Sequence, residues 1–409
     1  MVQGMLARSY MIRESPFGQT KASEGPWLEM EVFPRRDIGV GGIFALCAEI
    51  YFDQISLQST LAKQVRKTVS PVPVAVMLQS KFSPDSLPVL NGKVFLVTGG
   101  NTGIGLSTVA GLASRGATVY MGARDESKAR AAIQEIVKEH PNANIHIFRM
   151  DLTSLDNVVE AAREFFRRET RLHGLVNNAG IMGVPFSMTN DGYVIQFQTN
   201  YLSHWLLTYH LLPLMIATAS SAEPGAVRIV NVTSDGHALF VPRKGIDFDD
   251  ISLESSSSMT RYGQSKLANI LHVKALHKKY GPEREDKGGP EIWVAAVHPG
   301  HIYTNLSKQA TATAPATVLH TVAPIMRFVG VLHDRSKGAL SSLFAIASPD
   351  FNRSDSGAYV VPYAKIGIPS DLARDDLLIE KLWSWSFEEL KKKGKLDRLE
   401  PPNSVSIEG

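Results

Sequence analysis

The stretch Lys93-Val-Phe-Leu-Val-Thr-Gly-Gly-Asn-Thr-Gly-Ile-Gly105 decides the fold. Its first six residues are almost wholly apolar and β-rich, the composition of a strand buried on both faces of a parallel sheet. A glycine-rich turn follows, and after it Ile104, Val109, Leu112 and Ala113 recur at helical spacing. Strand, glycine turn and helix start, in that order, can hold a pyrophosphate: glycines let the backbone come close, and the helix N-terminus offers free amides and a positive dipole end. The spacing Gly99-x-x-x-Gly103-x-Gly105 is one residue longer than the ordinary dinucleotide fingerprint, and taken alone it reads equally well as a structural turn.

Working outward, Ala117 to Met121 reads as a second strand and Glu126 to His140 as a second helix, ended by Pro141. Further strands are expected at Asn144 to Arg149, Gly174 to Asn177, Val227 to Val232, Glu291 to Val297 and Gly357 to Tyr363, with Leu377 to Lys393 as a last helix. Alternating strands and helices predict an α/β, doubly wound (Rossmann) parallel sheet of about seven strands with helices on both faces. The chain divides into an N-terminal extension, 1–84, expected to be poorly ordered; one Rossmann-type domain, 85–395; and a tail, 396–409. The basic run Lys391-Lys-Lys-Gly-Lys395 is expected to be solvated charge.

Composition narrows the class. The 409 residues are 44% hydrophobic and 20% charged, as in a globular protein, and a net charge of +3 without basic runs interleaved with aromatics argues against nucleic acid as a partner. Cys47 is the only cysteine, so no intramolecular disulfide forms, which fits a reducing compartment and a cytoplasmic location, with peripheral membrane association as a second reading. The apolar segment Ile38 to Phe52 contains Glu49 and is shorter than the ~20 residues a bilayer span needs, so no transmembrane segment is expected.

The end of the second strand reads Gly122-Ala123-Arg124-Asp125. An acidic side chain there takes the ribose 2′-hydroxyl of NAD, whereas a cation takes the 2′-phosphate of NADP. Arg124 favours NADP(H); the competing reading has Asp125 facing the ribose and Arg124 in solvent.

With Asn177-Asn-Ala-Gly180, Asn200, Ser234 and Tyr262-Gly-Gln-Ser-Lys266 following the glycine turn in that order, the chain over about 88–395 resembles the short-chain dehydrogenase/reductase family, in its retinol-dehydrogenase-like and fungal branch. The resemblance implies a catalytic set of Tyr262, Lys266, Ser234 and Asn200. It also implies cofactor contacts from Gly99, Asn101, Thr102, Gly103, Ile104, Gly105, Arg124, Asp151, Asn178, Ala179, Gly180, Tyr262, Lys266, Pro299, Gly300 and Thr304. On a helix Tyr262 and Lys266 share a face one turn apart, and the lysine, helped by a positively charged oxidised nicotinamide, is expected to lower the phenol pKa. Ser234 is expected to hydrogen-bond the substrate oxygen, and Asn200, by the resemblance, to fix a water next to Lys266. No metal is expected: His298 and His301 flank Pro299-Gly300 without a third ligand at plausible spacing.

The segment Ile302 to His333, apolar for a loop, suggests a lipophilic small-molecule substrate. The expected activity is NADP-dependent hydride transfer to or from an alcohol or carbonyl carbon. The resemblance suggests a tailoring step in lipid or specialised-metabolite biosynthesis and a homodimer. The alternatives are a carbon-carbon double-bond reductase of the same fold and a non-catalytic cofactor-binding regulator or scaffold.

Overall fold

The computed structural model describes residues 82–284, 289–300, 302, 334–397 and 399. The extension expected over 1–84 therefore lies almost wholly outside the described residues, as do Thr304, His301 and the apolar loop after Ile302. Among the described residues no helix is long and apolar enough to cross a membrane.

In chain order the elements are β1 (Val94–Thr98), α1 (Gly103–Ala113), β2 (Thr118–Ala123), α2 (Glu126–Glu139), β3 (Asn144–Arg149), α3 (Leu155–Arg168), β4 (Gly174–Asn177) and α4 (Ser203–Ser220). There follow β5 (Arg228–Val232), α5 (Ser258–Tyr280), β6 (Trp293–Val297), α6 (Arg335–Ala347), β7 (Ala358–Val361), β8 (Lys365–Gly367) and α7 (Asp376–Lys392). The sheet runs β3-β2-β1-β4-β5-β6-β7-β8. Every pairing from β3 to β7 is parallel. The last strand, β8, is an antiparallel addition missed in the sequence, where Lys365-Ile-Gly is too short to show a period.

Period-two alternation builds two cores from the same strands. Val94 and Leu96 of β1 face one cluster, with Val294 and Ala296 of β6, covered by α3, α4, α5 and α7. Phe95 and Val97 face the other, with Ala295 and Val297, covered by α1, α2 and α6. Strand order reverses between β1 and β4, and in such sheets ligands bind outside the carboxyl ends of the strands at that crevice. Thr98, Asn177, Ser234 and Pro299 all fall at or just beyond those ends.

The basic run after α7 differs from expectation. Lys393 Nζ donates to the Asp191 carbonyl at 2.8 Å, Lys392 pairs with Glu389, and the largely covered Lys395 pairs with Asp156. Lys393 and Lys395 thereby clasp the segment after α7 to the domain, whereas Lys392, paired within its own helix, stays exposed as expected.

Candidate active site

The turn between β1 and α1 is shaped by missing side chains. Gly99 and Gly103 have φ of +62° and +56°, a region that favours glycine. A Cβ on Gly105 would lie 2.3 Å from the Gly99 carbonyl oxygen and 2.5 Å from Asn178 Nδ2, so only glycine lets the first turn of α1 meet the β4 loop. Asn178 Nδ2 in turn donates to the Thr98 carbonyl at 2.8 Å, and the amides of Asn178 and Ala179 donate to Thr98 Oγ1 at 2.9 and 3.0 Å. Asn101, Thr102 and Ile104 sit on this turn with partial or full exposure. The expected cofactor residues from 99 to 105 and from 178 to 180 thus form one cradle, whose open helix terminus and close backbone fit a dinucleotide phosphate.

At the end of β2, Arg124 is exposed, while Asp125 is occupied as the N-cap of α2. Its Oδ1 accepts from Ser127 Oγ at 2.6 Å and Lys128 N at 3.1 Å. These two hydrogen bonds, the Ser127 one foremost, hold its carboxyl down at about 2. The carboxylate is thereby used within its own helix cap. Asp151, beyond β3, is half-buried and accepts from the amide and hydroxyl of Thr153 through Oδ1.

Tyr262 and Lys266 lie near the start of α5, which opens on Ser257, whose hydroxyl accepts from Thr260 N at 3.0 Å. They are 5% and 4% exposed. Lys266 Nζ donates to the Val232 carbonyl at 3.0 Å and sits 5.6 Å from the centre of the Tyr262 ring. Burial lowers the lysine to about 8. Burial also pushes Tyr262 up to about 12, the Asp235 charge adding to the rise and the hydrogen bond with Ser234 opposing it. Among the chain's own groups desolvation outweighs the Ser234 hydrogen bond, and the phenol is held protonated.

Ser234 Oγ donates to Asp235 Oδ1 at 2.9 Å and accepts from Gly236 N at 3.1 Å. His237 fastens this turn: Nε2 accepts from Ser370 N at 3.2 Å, so Nδ1 carries the hydrogen it gives to the Ser234 carbonyl at 2.7 Å. A Cβ on Gly236 would lie 3.1 Å from Tyr262 and 3.5 Å from Phe240, so Phe240 flanks the same turn as the phenol.

Asn200 sits in a π-helical turn, Gln198–Leu202, directly ahead of α4. Its Oδ1 accepts from Ile181 N at 2.8 Å, and its Nδ2 donates to the Ile181 carbonyl and to Ser265 Oγ, each at 2.9 Å. Both amide hydrogens are thus spent inside the protein, and the side chain ties the loop after Gly180 to α5. A Cβ on Gly180 would lie 3.3 Å from Asn200 Oδ1 and 3.4 Å from Lys266 Nζ, so the two halves of the site touch at this glycine. Gly300, with φ of +89°, closes the far side, where an added Cβ would lie 3.1 Å from Pro362. Pro299 precedes it at the end of β6, and Ile302 is buried beside Gly338.

Sequence reasoning missed Asp235, His237, His204 and Ser265. Two signals were present: His204 falls one helical turn after Asn200, and Ser265 lies within the Tyr262-to-Lys266 motif.

A family model described as short chain dehydrogenase matches residues 93–245. A short-chain dehydrogenase/reductase of Aspergillus calidoustus, drtF, is 52% identical over 316 residues, covering 77% of this chain and 98% of that protein. An uncharacterized oxidoreductase of Schizosaccharomyces pombe is 41% identical, covering 76% of this chain and 89% of that protein. Among solved structures, an uncharacterized protein from Mycobacterium paratuberculosis is 28% identical with a TM-score of 0.55, covering 76% of this chain and 98% of that one. The fold, the ordered motifs and these relatives agree: the chain belongs to the short-chain dehydrogenase/reductase family of oxidoreductases, in its fungal branch.

Proposed function

We propose that the chain is an NADP(H)-dependent reductase that converts a ketone or aldehyde of a lipophilic small molecule to the alcohol. The observation that carries this reading is the convergence of Tyr262, Lys266 and Ser234 beside the glycine cradle, with Asn200 bracing Gly180 between them.

When bound, the nicotinamide supplies or accepts the hydride. The chain's own residues do the rest. Tyr262 donates a hydrogen bond to the carbonyl oxygen, where negative charge grows as the carbon is reduced, and Ser234 joins it by turning its one hydroxyl hydrogen from Asp235 Oδ1 to that oxygen. Tyr262, protonated at neutral pH, gives its hydroxyl proton to that oxygen. Lys266, lowered to about 8, lies close enough to the working pH to exchange protons and stabilise the phenolate left behind. Asn200 keeps the Gly180–Ile181 segment in register with α5.

NADP rather than NAD is supported by the division of labour at β2. Asp125 is committed to capping α2, leaving the exposed guanidinium of Arg124 as the group to meet a 2′-phosphate. A lipophilic substrate is supported by Phe240 beside Tyr262 and by the two-thirds-exposed Leu239 next to it. The scaffold reading is disfavoured by cost, because burying a lysine and a tyrosine together serves proton transfer and has no use in a binding module.

The test is a screen of lipophilic ketones, alcohols and enones with NADPH, NADP, NADH and NAD. Ketone-dependent NADPH oxidation exceeding NADH oxidation supports the reading. Reduction only at the double bond of an enone selects the alternative chemistry, and nucleotide binding without turnover of any class selects the scaffold.

A further inference from the structure

One buried side chain that the proton transfer leaves unused, His204, lies where the two halves of the site join. It is 1% exposed near the start of α4. Its Nδ1 is 3.1 Å from the Asn200 carbonyl oxygen and its Nε2 is 2.8 Å from Thr98 Oγ1. A carbonyl only accepts, so Nδ1 carries the hydrogen. Burial, the largest influence, pulls the ring pKa down to about 4, with the Asn200 carbonyl opposing and the Lys266 charge reinforcing the fall. His272 on α5 is the other titratable group whose charge interacts with it. The imidazole is therefore neutral near pH 7 and Nε2 is an acceptor.

That fixes the hydroxyl of Thr98. Its hydrogen goes to Nε2 at 2.8 Å in preference to the Val176 carbonyl at 3.4 Å. Its two lone pairs then face the amides of Asn178 and Ala179 at 2.9 and 3.0 Å. From Asn200 the path continues through its Nδ2 to Ser265 Oγ at 2.9 Å, and from Ser265 Oγ to the Tyr262 carbonyl at 2.7 Å. Each hydrogen on this path has one acceptor, and the path runs from the glycine cradle to the helix that carries the phenol.

We propose that His204, as its Nδ1–H tautomer, is a positioning residue that orients the Thr98 hydroxyl and so holds the nucleotide cradle in register with Asn200 and the Tyr262 helix. Its functional consequence rests on the reductase reading above; the hydrogen-bond link itself does not. His204→Phe keeps a ring of similar size while leaving Thr98 Oγ1 and the Asn200 carbonyl buried without this partner. His204→Gln restores one donor and one acceptor.

The experiment measures binding of NADPH and of NADH by fluorescence titration, together with thermal unfolding, in wild type, His204→Phe, His204→Gln, Thr98→Val and the double variant His204→Phe/Thr98→Val. Histidine nitrogen NMR of the wild type supplies the tautomer. His204→Phe and Thr98→Val should each weaken nucleotide binding about tenfold, the effect of leaving one buried polar group unpaired. The double variant should be no weaker than the worse single variant, because both remove the same link. His204→Gln should recover most of the loss, and the spectrum should show a protonated Nδ1 and a bare Nε2. Additive losses, a glutamine variant as weak as the phenylalanine one, or a hydrogen on Nε2 would overturn the proposal. If the wild type binds neither nucleotide, the reductase reading fails, while the tautomer and the coupling in thermal stability still decide the link. If His204→Phe does not fold, the tautomer and Thr98→Val decide it: a bare Nδ1 or undiminished binding in Thr98→Val refutes the proposal.

Discussion

The two halves of the site are made in opposite ways. On the nucleotide side, Gly99, Gly103 and Gly105 matter for what they lack, and the contacts are backbone amides and carbonyls with Thr98 and Asn178 as fasteners. On the other side, Tyr262 and Lys266 matter for what they carry, and burial drives their pKa values apart, to about 12 and about 8. One half is a problem of shape and the other of electrostatics. Substitutions should therefore fail differently in each: by steric exclusion on the first side, by altered pH dependence on the second.

The largest effect expected on the shape side comes from Gly105→Ala. The new methyl group would lie 2.3 Å from a backbone oxygen that cannot swing away. Overpacking of this kind costs about 1–3 kcal/mol, so nucleotide affinity should fall by roughly tenfold to a hundredfold. Undiminished binding would remove the steric account of the turn. A smaller effect is expected from Arg124→Ala, which should weaken NADPH by about tenfold while leaving NADH almost unchanged, as for the loss of one charge-assisted contact. Equal loss for both nucleotides would break the phosphate assignment.

On the electrostatic side, Asp235→Asn removes a charge that helps to raise the Tyr262 pKa. The high-pH limb of the carbonyl-reduction profile should move to lower pH in this variant, and an unmoved limb would take Tyr262 out of that ionisation. The smallest and most diffuse effect concerns stability. Burial lowers His204 to about 4 and His272 to about 3, below the ordinary value of 6.5. The unfolded chain thus binds protons that the folded chain refuses, so stability is complete above about 6.5 and declines as pH falls toward the folded values. Thermal melts should move to lower temperature between pH 7 and pH 5, and a rise over that interval would contradict the buried neutral imidazoles.

The same contrast explains what could be read from the sequence. The β1 run, the glycines and the alternation of strands and helices leave periodic or compositional marks, and the sheet and cradle follow from them. Tyr262 and Lys266 were legible as a spacing, but the rise that burial gives the tyrosine in the chain alone was not. It depends on how completely α5 is covered and on Asp235, whose role shows only once the turn after β5 has folded. His204 showed only its one-turn spacing from Asn200; its link to Thr98 was silent because that partner is brought to the ring by a separate element. The clasp formed by Lys393 and Lys395 was hidden for the same reason, its acceptors lying near α3 and in the loop after β4.

The central claim is that Tyr262 gives up the proton while the nucleotide cradle is built independently of its hydroxyl. The direct measurement is a paired one on Tyr262→Phe: NADPH affinity by fluorescence titration and ketone turnover by NADPH oxidation. The account predicts affinity close to wild type with turnover reduced by roughly a thousandfold, the scale of a lost general acid. Turnover near the wild-type rate in this variant would contradict it.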